Sequence, residues 1–324
     1  MKPLLLSPIG LGLAALGRPG YINIGHREDL ADGYSITAME AHSHRVLDRA
    51  WKLGVRYFDV ARSYGAAEAF LGSWLRGRNL KPDRITVGSK WGYTYAAGWQ
   101  VEAEAHEIKV HTLTTLLRHR EETRATLGSY LDIYQIHSAT AESGVLEDRE
   151  VLEELVKLKG EGVRVGLTLS GPAQGATLLR AMEISVDGER LFDSVQATWN
   201  LLERSAANAL FEAKKDGMTV IIKEAVANGR LTNRNLHSKF AVKRKMLTAQ
   251  AARLGTTVDA LAIAAVLHRP WADVVLSGAA TVEQVESNLK ALDIEWDDEA
   301  EQTLKPLMES GGEYWRIRSE LAWN

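Results

Sequence analysis

The chain has 324 residues, a formal net charge of -3 and no cysteine, and 45% of its residues are hydrophobic and 25% charged. This composition is typical of a globular protein with a full hydrophobic core, and the lack of cysteine excludes disulfides, thiolate nucleophiles and thiolate zinc sites. The small negative charge gives no broad attraction to nucleic acid or to an anionic membrane, so we expect neither as a partner.

The first residues, MKPLLLSPIGLGLAALG, contain an apolar stretch that Pro8 and three glycines interrupt. A secretion signal has an unbroken apolar region, so we interpret this segment as part of the mature protein. No stretch reaches the roughly 18 apolar residues of a membrane-spanning helix. We therefore expect a cytoplasmic protein.

Eight short apolar runs predict strands, nearly all followed by a loop and a helical pattern. The predicted strands are 9–13, 55–60, 84–90, 132–137, 163–170, 193–199, 218–224 and 273–278. The predicted helices are 43–53, 67–75, 113–127, 148–159, 173–182, 205–215, 258–267 and 282–291. This alternation builds a parallel sheet, and eight units of roughly 30 residues predict a (β/α)8 TIM barrel, with residues 1–324 as a single domain. An open doubly wound sheet is the alternative, because one sequence does not encode strand order.

Two segments fall outside this repeat. Residues 91–111 form a long loop after the third strand, and residues 309–324 form a C-terminal aromatic tail. Loops longer than about 12 to 15 residues in compact domains are usually functional or disordered. Because the loop carries four aromatic residues, we expect it to form the wall of a pocket.

Three predicted strands end in polar or charged residues, namely Asp59, Lys90 and His137, and Tyr64 follows the first of them closely. In an α/β barrel the carboxyl ends of the strands converge on the face where active sites lie. A carboxylate at the end of an apolar run needs solvent or a charged partner. We expect Lys90, from the next strand, to be the partner of Asp59.

Several segments resemble the aldo-keto reductase family. GVRYFDVARSYGAAEAFLGSWL (54–75) resembles its signature around a catalytic Asp and Tyr, VGSKWGY resembles its lysine strand, and YLDIYQIH resembles its histidine strand. The similarity continues through DSVQATWNLLER, VIIKEAVANGRL and LSGAATVEQVESNL, from about residue 9 to 292. It implies a barrel enzyme that reduces aldehydes, ketones or sugar carbonyls with NAD(P)H, and a catalytic tetrad of Asp59, Tyr64, Lys90 and His137.

The resemblance implies that Tyr64 is the general acid that protonates the developing alkoxide. A free tyrosine has a pKa of about 10, and a nearby ammonium lowers it by stabilising the phenolate, a role we expect for Lys90. His137 would orient the substrate carbonyl. A zinc role for His137 is the alternative, but no second histidine or carboxylate stands at ligand spacing around it, so we predict no metal site.

The N-terminal GLGLAALG is not a dinucleotide-binding fingerprint, because its spacing is GxGxxxxG and Pro19 and Gly20 follow where a helix should begin. The resemblance implies instead a nicotinamide cofactor extended across the strand ends. Thr168 and Gln196 would hold its carboxamide, and the helix start near residue 281 would meet its adenosine end. The full set implied for cofactor binding is Gly12, Asp59, Thr168, Gln196, Lys223, Glu224, Ala225, Val226, Gly278, Thr281, Gln284 and Asn288.

The chain departs from the family pattern at two places. Lys223 stands where many members stack an aromatic ring on the nicotinamide, and Glu224 follows where a serine is common. Gly278 and Gln284 stand where Lys and Arg often meet the 2'-phosphate of the cofactor. We expect NADP(H) as cofactor, with NAD(H) as the alternative.

Two other functions remain open. The altered turn at residues 223–225 keeps open a cofactor-binding sensor or regulatory subunit with little turnover, like the potassium-channel β subunits that share this fold. An unrelated barrel hydrolase or isomerase would bind no nicotinamide.

Overall fold

The structure is a computed structural model and describes residues 2–30, 33–186 and 188–324. Its strands are β1 (Ile9–Gly12), β2 (Tyr57–Asp59), β3 (Thr86–Trp91), β4 (Tyr93–Tyr95), β5 (Glu107–Lys109), β6 (Leu131–Ala139), β7 (Arg164–Leu169), β8 (Ser185–Val186), β9 (Glu189–Arg190), β10 (Ser194–Thr198), β11 (Thr219–Lys223) and β12 (Val274–Ser277). Eight of them close into a barrel in the order β1, β2, β3, β6, β7, β10, β11 and β12. The predicted (β/α)8 barrel is confirmed, and the open sheet is excluded because β12 pairs in parallel with β1.

The helices surround the barrel strands. They are α1 (His26–Asp29), α2 (Ile36–Lys52), α3 (Ala67–Gly77), α4 (Leu113–Leu127), α5 (Arg149–Gly160), α6 (Gln174–Met182), α7 (Ala207–Lys215), α8 (Ala241–Arg253), α9 (Val258–Leu267), α10 (Val282–Leu289), α11 (Asp298–Leu304) and α12 (Gly311–Ser319). Helices α4, α5, α6, α7 and α9 contact the barrel strands directly. All eight predicted helices are present. The clearest apolar stripe, in α3, is buried as its spacing predicts.

The structure extends one predicted helix and adds others. Helix α2 begins at Ile36, seven residues before the predicted start, because the Ser35 side chain caps it by accepting a hydrogen bond from the backbone N–H of Ala38 (3.2 Å). Helix α8 was not predicted. Its sequence, AVKRKMLTAQAAR, has no clear apolar stripe, and it buries little more than Leu247, Gln250 and Ala251.

The segments outside the barrel repeat are ordered. The long loop after β3 folds into the antiparallel hairpin β4–β5, in which Tyr93 pairs with Lys109. The aromatic tail contains α12, whose Tyr314 and Trp315 are buried. A second small hairpin, β8–β9, follows α6. Both segments therefore present regular secondary structure that can line a site.

Strand register places the polar strand ends at one level. Gly12 pairs with Asp59, and Asp59 pairs with Gly88. Lys90 is two residues beyond Gly88, so its side chain points to the same face of β3. A Cβ at Gly88 would lie 2.5 Å from the Tyr57 hydroxyl oxygen. Glycine at this position therefore avoids a clash with the Tyr57 side chain beside Asp59.

Below this level the barrel interior is apolar. Tyr57, Ile133, Ile221, Val274 and Leu276 form a buried cluster, against which Leu4 and Leu6 pack from the segment before β1. This packing closes the barrel beneath the strand ends, as is usual for a fold whose interior is a core and not a pore.

Within the described ranges, no single helix is long and apolar enough to span a membrane. One sharply bent pair, residues 238–253 with 258–267, meets the length and composition test when its two helices are taken together.

Candidate active site

Asp59 is the centre of a buried polar cluster at the end of β2. Its carboxylate accepts hydrogen bonds from the Lys90 ammonium, the Gln196 amide (2.9 Å) and the Tyr57 hydroxyl (3.3 Å). Lys90 is fully buried and also donates to the backbone oxygen of Val60 (3.0 Å). A buried ammonium is costly unless it is paired, so Asp59 and Lys90 stabilise each other, as expected from the sequence.

Tyr64 and His137 lie directly above this pair. Their ring centroids are 5.5 Å apart, edge to face, and the Lys90 ammonium lies 4.7 Å from the centroid of the Tyr64 ring. The structure thus brings all four residues of the predicted tetrad together. The Tyr64 hydroxyl makes no hydrogen bond to any residue in the described part of the chain, and Tyr64 lines a cavity, so a bound ligand can reach its proton.

A close backbone contact positions the loop that carries Tyr64. The backbone N–H of Ala66 donates to the carbonyl oxygen of Gly17 (2.7 Å), and a Cβ at Gly17 would lie 2.2 Å from the carbonyl oxygen of Tyr64. Only glycine fits there. The glycine-rich GLGLAALG segment therefore serves packing around Tyr64, which agrees with our rejection of a dinucleotide fingerprint.

The expectation of a lowered pKa for Tyr64 is wrong. Burial raises the pKa of Tyr64 well above 10, and the negative charges of Asp59 and Glu107 raise it further, against the opposing charge of Arg18. The physical reason is that burial disfavours the charged phenolate and that the Asp59 and Glu107 carboxylates add negative charge around it. Tyr64 is a protonated phenol at neutral pH.

His137 is a neutral imidazole. Burial lowers its pKa well below 6.5, and the positive charges of Lys90 and Lys223 lower it further. Its Nδ1 lies 3.5 Å from the Ser63 hydroxyl oxygen, and the Tyr93 ring lies 4.8 Å from it between centroids. A neutral imidazole beside Tyr64 can donate one hydrogen bond to a substrate oxygen without adding charge.

Asp59, Tyr64 and His137 line one cavity of about 220 Å³ at the carboxyl ends of the strands. The hairpin contributes Tyr93 and Glu107 to its lining, and the tail contributes Arg318 and Trp323. The expectation that the 91–111 loop forms a pocket wall agrees with this arrangement. The lining also includes Arg18 and Tyr21 from the segment after β1.

Most residues predicted to bind cofactor line the same cavity. They are Gly12, Asp59, Thr168, Gln196, Lys223, Glu224, Ala225, Val226 and Gly278. Thr168 accepts a hydrogen bond from the backbone N–H of Ser138 (2.7 Å). The Gln196 side-chain oxygen makes no hydrogen bond within the described ranges, so it is a free acceptor that fits the amide of a nicotinamide carboxamide.

The remaining three, Thr281, Gln284 and Asn288, are not in the cavity lining, and their side chains are engaged within the protein. Thr281 caps α10 by accepting from the backbone N–H of Gln284 (3.2 Å). Gln284 donates to Asp29 (2.8 Å), and Asn288 donates to Asp259 (2.7 Å). Their role in holding the adenosine end of a cofactor stays a prediction.

Sequence reasoning missed Arg18, which is buried at the cavity wall. It donates to Glu107 (2.8 Å) and to the backbone oxygen of Ser63 (3.0 Å). Its guanidinium lies 4.9 to 5.2 Å from the centroids of the Trp323, Tyr21 and Tyr64 rings. Arg18 thereby links the hairpin, the tail and the Tyr64 loop, and no local pattern marks an arginine for such a place.

Sequence reasoning also missed the anchor of the turn after β11. Arg318 of α12 donates to both carboxylate oxygens of Glu224 (2.6 and 3.1 Å), and the Tyr314 hydroxyl donates to the same group (3.2 Å). Burial opposes ionisation, but the charges of Arg318 and Lys223 outweigh it and hold the pKa of Glu224 at about 2. Tyr314 and Arg318 lie four residues apart, on one face of α12, which is a signal that the sequence does contain.

This anchor holds a turn with an unusual backbone. Glu224 has a φ of 58°, and Ala227 and Asn228 have φ values of 49° and 54°, all in the left-handed region. Such conformations cost roughly 1 kcal/mol or more each in residues other than glycine and persist where surrounding contacts enforce them. The Asn200 amide adds one such contact by donating to the backbone oxygen of Glu224 (2.9 Å).

The closed parallel barrel and the cavity at its strand ends define a (β/α)8-barrel protein. Within that class, the chain belongs to the aldo/keto reductase family, whose model matches residues 8–309. Members of this family are oxidoreductases that use nicotinamide cofactors.

Individual relatives are distant but span most of the chain. The oxidoreductase YrpG of Bacillus subtilis is 24% identical, over 86% of this chain and 90% of its own. The NADH-specific methylglyoxal reductase of Escherichia coli is 26% identical, over 90% and 92%. Among solved structures, the holo form of aldo-keto reductase AKR11C1 from Bacillus halodurans superimposes with a TM-score of 0.72 at 21% identity, over 96% of this chain and 95% of that one. At this identity the structural likeness shows the fold alone.

Across the described residues, no group of three or more His, Cys, Asp or Glu side chains is placed to hold a metal ion.

Proposed function

We propose that the protein is an NAD(P)H-dependent reductase of aldehydes, ketones or sugar carbonyls, with Tyr64 as the general acid. NADP(H) is the proposed cofactor and NAD(H) the alternative. The observation that carries the proposal is the meeting of Tyr64, His137 and the Asp59–Lys90 pair at one cavity. Family membership supplies the reaction class.

When bound, the nicotinamide supplies the hydride. The chain's own residues provide its site: the free Gln196 oxygen and Thr168 suit the carboxamide, and Gly12 and Gly278 line the cavity without side chains that would fill it. Gln196 is itself oriented by its bond to Asp59 (2.9 Å). Asp59 therefore holds two side chains in place: Lys90 beside Tyr64, and the Gln196 amide that would bind the cofactor.

Tyr64 and His137 would hold the substrate oxygen. Because the phenol of Tyr64 is protonated and the imidazole of His137 is neutral at physiological pH, both can donate a hydrogen bond to a carbonyl oxygen. As that oxygen gains negative charge, the phenol proton moves to it, and the charge of the nearby Lys90 favours the phenolate that remains. A buried donor pair of this kind stabilises developing charge more than water does.

The decisive experiment compares the wild type with Tyr64→Phe. Carbonyl reduction, followed by loss of NADPH absorbance with a reactive aldehyde, is expected to fall about 10²- to 10⁴-fold, since the general acid is gone. Cofactor affinity, from fluorescence titration, is expected to stay within a few fold. Tyr130→Phe is the matched control, because that hydroxyl donates to the backbone oxygen of Leu80 (2.6 Å), outside the cavity lining.

Unchanged turnover in Tyr64→Phe would remove Tyr64 as the acid. If the wild type binds NADPH but leaves it reduced for hours across an aldehyde panel, the sensor or regulatory function replaces the enzyme. Failure to bind any nicotinamide would reject both.

A further inference from the structure

Lys223 is a cation on the cavity wall whose nearest carboxylate is too far away for a hydrogen bond. It ends β11, and its side chain is largely buried, with 17% exposed. Its ammonium makes no hydrogen bond to the described residues. The nearest carboxylate oxygen, Oε1 of Glu224, is 3.9 Å away, beyond hydrogen-bond distance, and that carboxylate is already bound by Arg318.

The other cations around the cavity are paired one to one. Lys90 is bound to Asp59, Arg18 to Glu107 and Arg318 to Glu224. His137 is neutral because burial lowers its pKa. The charge of Lys223 is therefore the one positive charge in excess among these groups.

We propose that Lys223 makes this protein bind the reduced nicotinamide more tightly than the oxidised form. The oxidised ring carries a positive charge that the reduced ring lacks, so an uncompensated ammonium beside it disfavours the oxidised form alone. The inference rests on the proposed function, because it requires a nicotinamide in this cavity.

A nicotinamide ring bound in this cavity would lie within reach of the Lys223 charge for two reasons. Hydride transfer requires the nicotinamide within about 3.5 Å of the carbon whose oxygen Tyr64 and His137 would hold, and Lys223 lines the same cavity as both. The charge of Lys223 also acts on His137, because it contributes to lowering the pKa of that imidazole.

The test measures the dissociation constants of NADH and NAD+, and of NADPH and NADP+, by fluorescence titration and calorimetry. For each pair the ratio of oxidised to reduced dissociation constants is compared between wild type and Lys223→Met, which keeps side-chain length and removes the charge. We expect the ratio to fall about tenfold in Lys223→Met, chiefly through tighter binding of the oxidised form. Lys223→Arg should keep the wild-type ratio, and Lys215→Met, an exposed lysine on α7, should change nothing.

Two results for the ratio would overturn the proposal. One is an unchanged ratio in Lys223→Met, where equal weakening of both forms would assign Lys223 to the phosphates, and the other is a ratio that rises. A loss of affinity confined to substrates that carry a carboxylate or phosphate, with the cofactor ratio unchanged, would assign Lys223 to the substrate and also count against it. Absence of cofactor binding to wild type would reject the proposed function itself.

The pH dependence of the wild type provides a second measurement if Lys223→Met does not fold. The charged groups that face Lys223 are Glu224 on its own turn, Arg318 from α12, Lys90 from β3 and Asp59 from β2. Burial lowers the pKa of Lys223 to about 8, while the charges hold the pKa of Glu224 at about 2 and raise that of Arg318. Because Lys223 loses its charge as pH rises from 7 to 9, the dissociation constant of NAD+ divided by that of NADH should fall over this range. A ratio that does not change with pH would overturn the proposal.

Discussion

The cavity has two walls that are built in different ways. One wall consists of strand ends, where Asp59 ends β2, and Lys90 and His137 lie in neighbouring strands. The other is the turn after β11, where Glu224 is held by Arg318, 94 residues further along the chain. Strand register and a buried ion pair between adjacent strands position the first wall, whereas an ion pair with a distant tail helix positions the second.

The two walls should therefore respond differently to substitution. The backbone of the strand-end wall is fixed by parallel pairing, so replacing a side chain there should change the reaction first, and stability where a buried charge is left unpaired. The turn has residues with positive φ that a tail helix holds in place. Replacing a residue there should change stability and tail docking first, and the reaction through them.

The largest effect is expected from the strand-end wall. Lys90→Met removes the ammonium beside Tyr64 and leaves the Asp59 carboxylate buried without a cation. We expect carbonyl reduction to fall by about 10²-fold or more, because the charge that favours the phenolate is lost. Steady-state kinetics with a reactive aldehyde measure this.

A second variant separates chemistry from folding in that experiment. Asp59→Asn/Lys90→Met replaces both charges and should recover much of the stability lost in Lys90→Met, since no buried charge is left unpaired. Its activity should stay low. If either variant keeps turnover within threefold of wild type, the strand-end wall does not carry the chemistry. Lys214→Met, which removes a partner of Asp273 on the outer surface, is the matched control.

The turn is expected to lose stability when its ion pair is broken. Arg318→Met leaves the Glu224 carboxylate, whose side chain is 8% exposed, with only the Tyr314 hydrogen bond and the incomplete contact of Lys223. Breaking a buried pair from one side costs about 3 kcal/mol of the free energy of unfolding. Urea denaturation followed by circular dichroism measures it.

The double variant Glu224→Gln/Arg318→Met completes the cycle. It should be more stable than Arg318→Met alone, because the unpaired charge is gone and only the hydrogen bonds are lost. If the two single changes simply add, the pair contributes nothing of its own and the tail is held by packing of Tyr314 and Trp315 instead. Arg316→Met breaks an exposed pair with Glu320 on the same helix and controls for helix effects.

Acid should destabilise the turn through the same carboxylate. The pKa of Glu224 is about 2 in the folded protein, against 4.5 for a free side chain, because the charges of Arg318 and Lys223 outweigh the effect of burial. A lowered folded pKa stabilises the protein fully above pH 4.5, and this contribution is lost as pH falls toward 2. Glu224→Gln should therefore flatten the stability curve between these values by up to about 3 kcal/mol. Identical curves for the two proteins would contradict the assignment.

The sequence predicted the strand-end wall because its signals are local. The run VRYFDV, with a carboxylate after buried residues, indicates both the strand and the need for a cation, and the spacing of Tyr64, Lys90 and His137 matches a known pattern. What it did not predict is the direction of the Tyr64 pKa. That direction depends on the burial of the phenol and on the nearby Asp59 and Glu107 carboxylates, and only the arrangement in space decides both.

The contacts of the turn after β11, and those of Arg18, could not be predicted from the sequence for a physical reason. The partners of Glu224 come from α12, and Arg18 reaches Glu107 across 89 residues. The four-residue spacing of Tyr314 and Arg318 marks one face of α12, but nothing in the sequence links that face to Glu224, or Arg18 to Glu107. The same limit applies to α8 and the early start of α2, where a cap and tertiary packing, not an apolar stripe, decide the helix.

The smallest effect concerns the choice between NADPH and NADH. Gln284 stands where a cation would meet a 2'-phosphate, but its amide donates to Asp29 and its oxygen accepts from the backbone N–H of Ala280, both at 2.8 Å. With no lysine or arginine at positions 278 and 284, we expect NADPH to bind only a few fold more tightly than NADH. Gln284→Arg should increase this preference by about tenfold, since a guanidinium binds phosphate through paired charged hydrogen bonds, whereas Gln284→Met should not. Fluorescence titration decides, and equal or tighter binding of NADH by the wild type would make NAD(H) the cofactor.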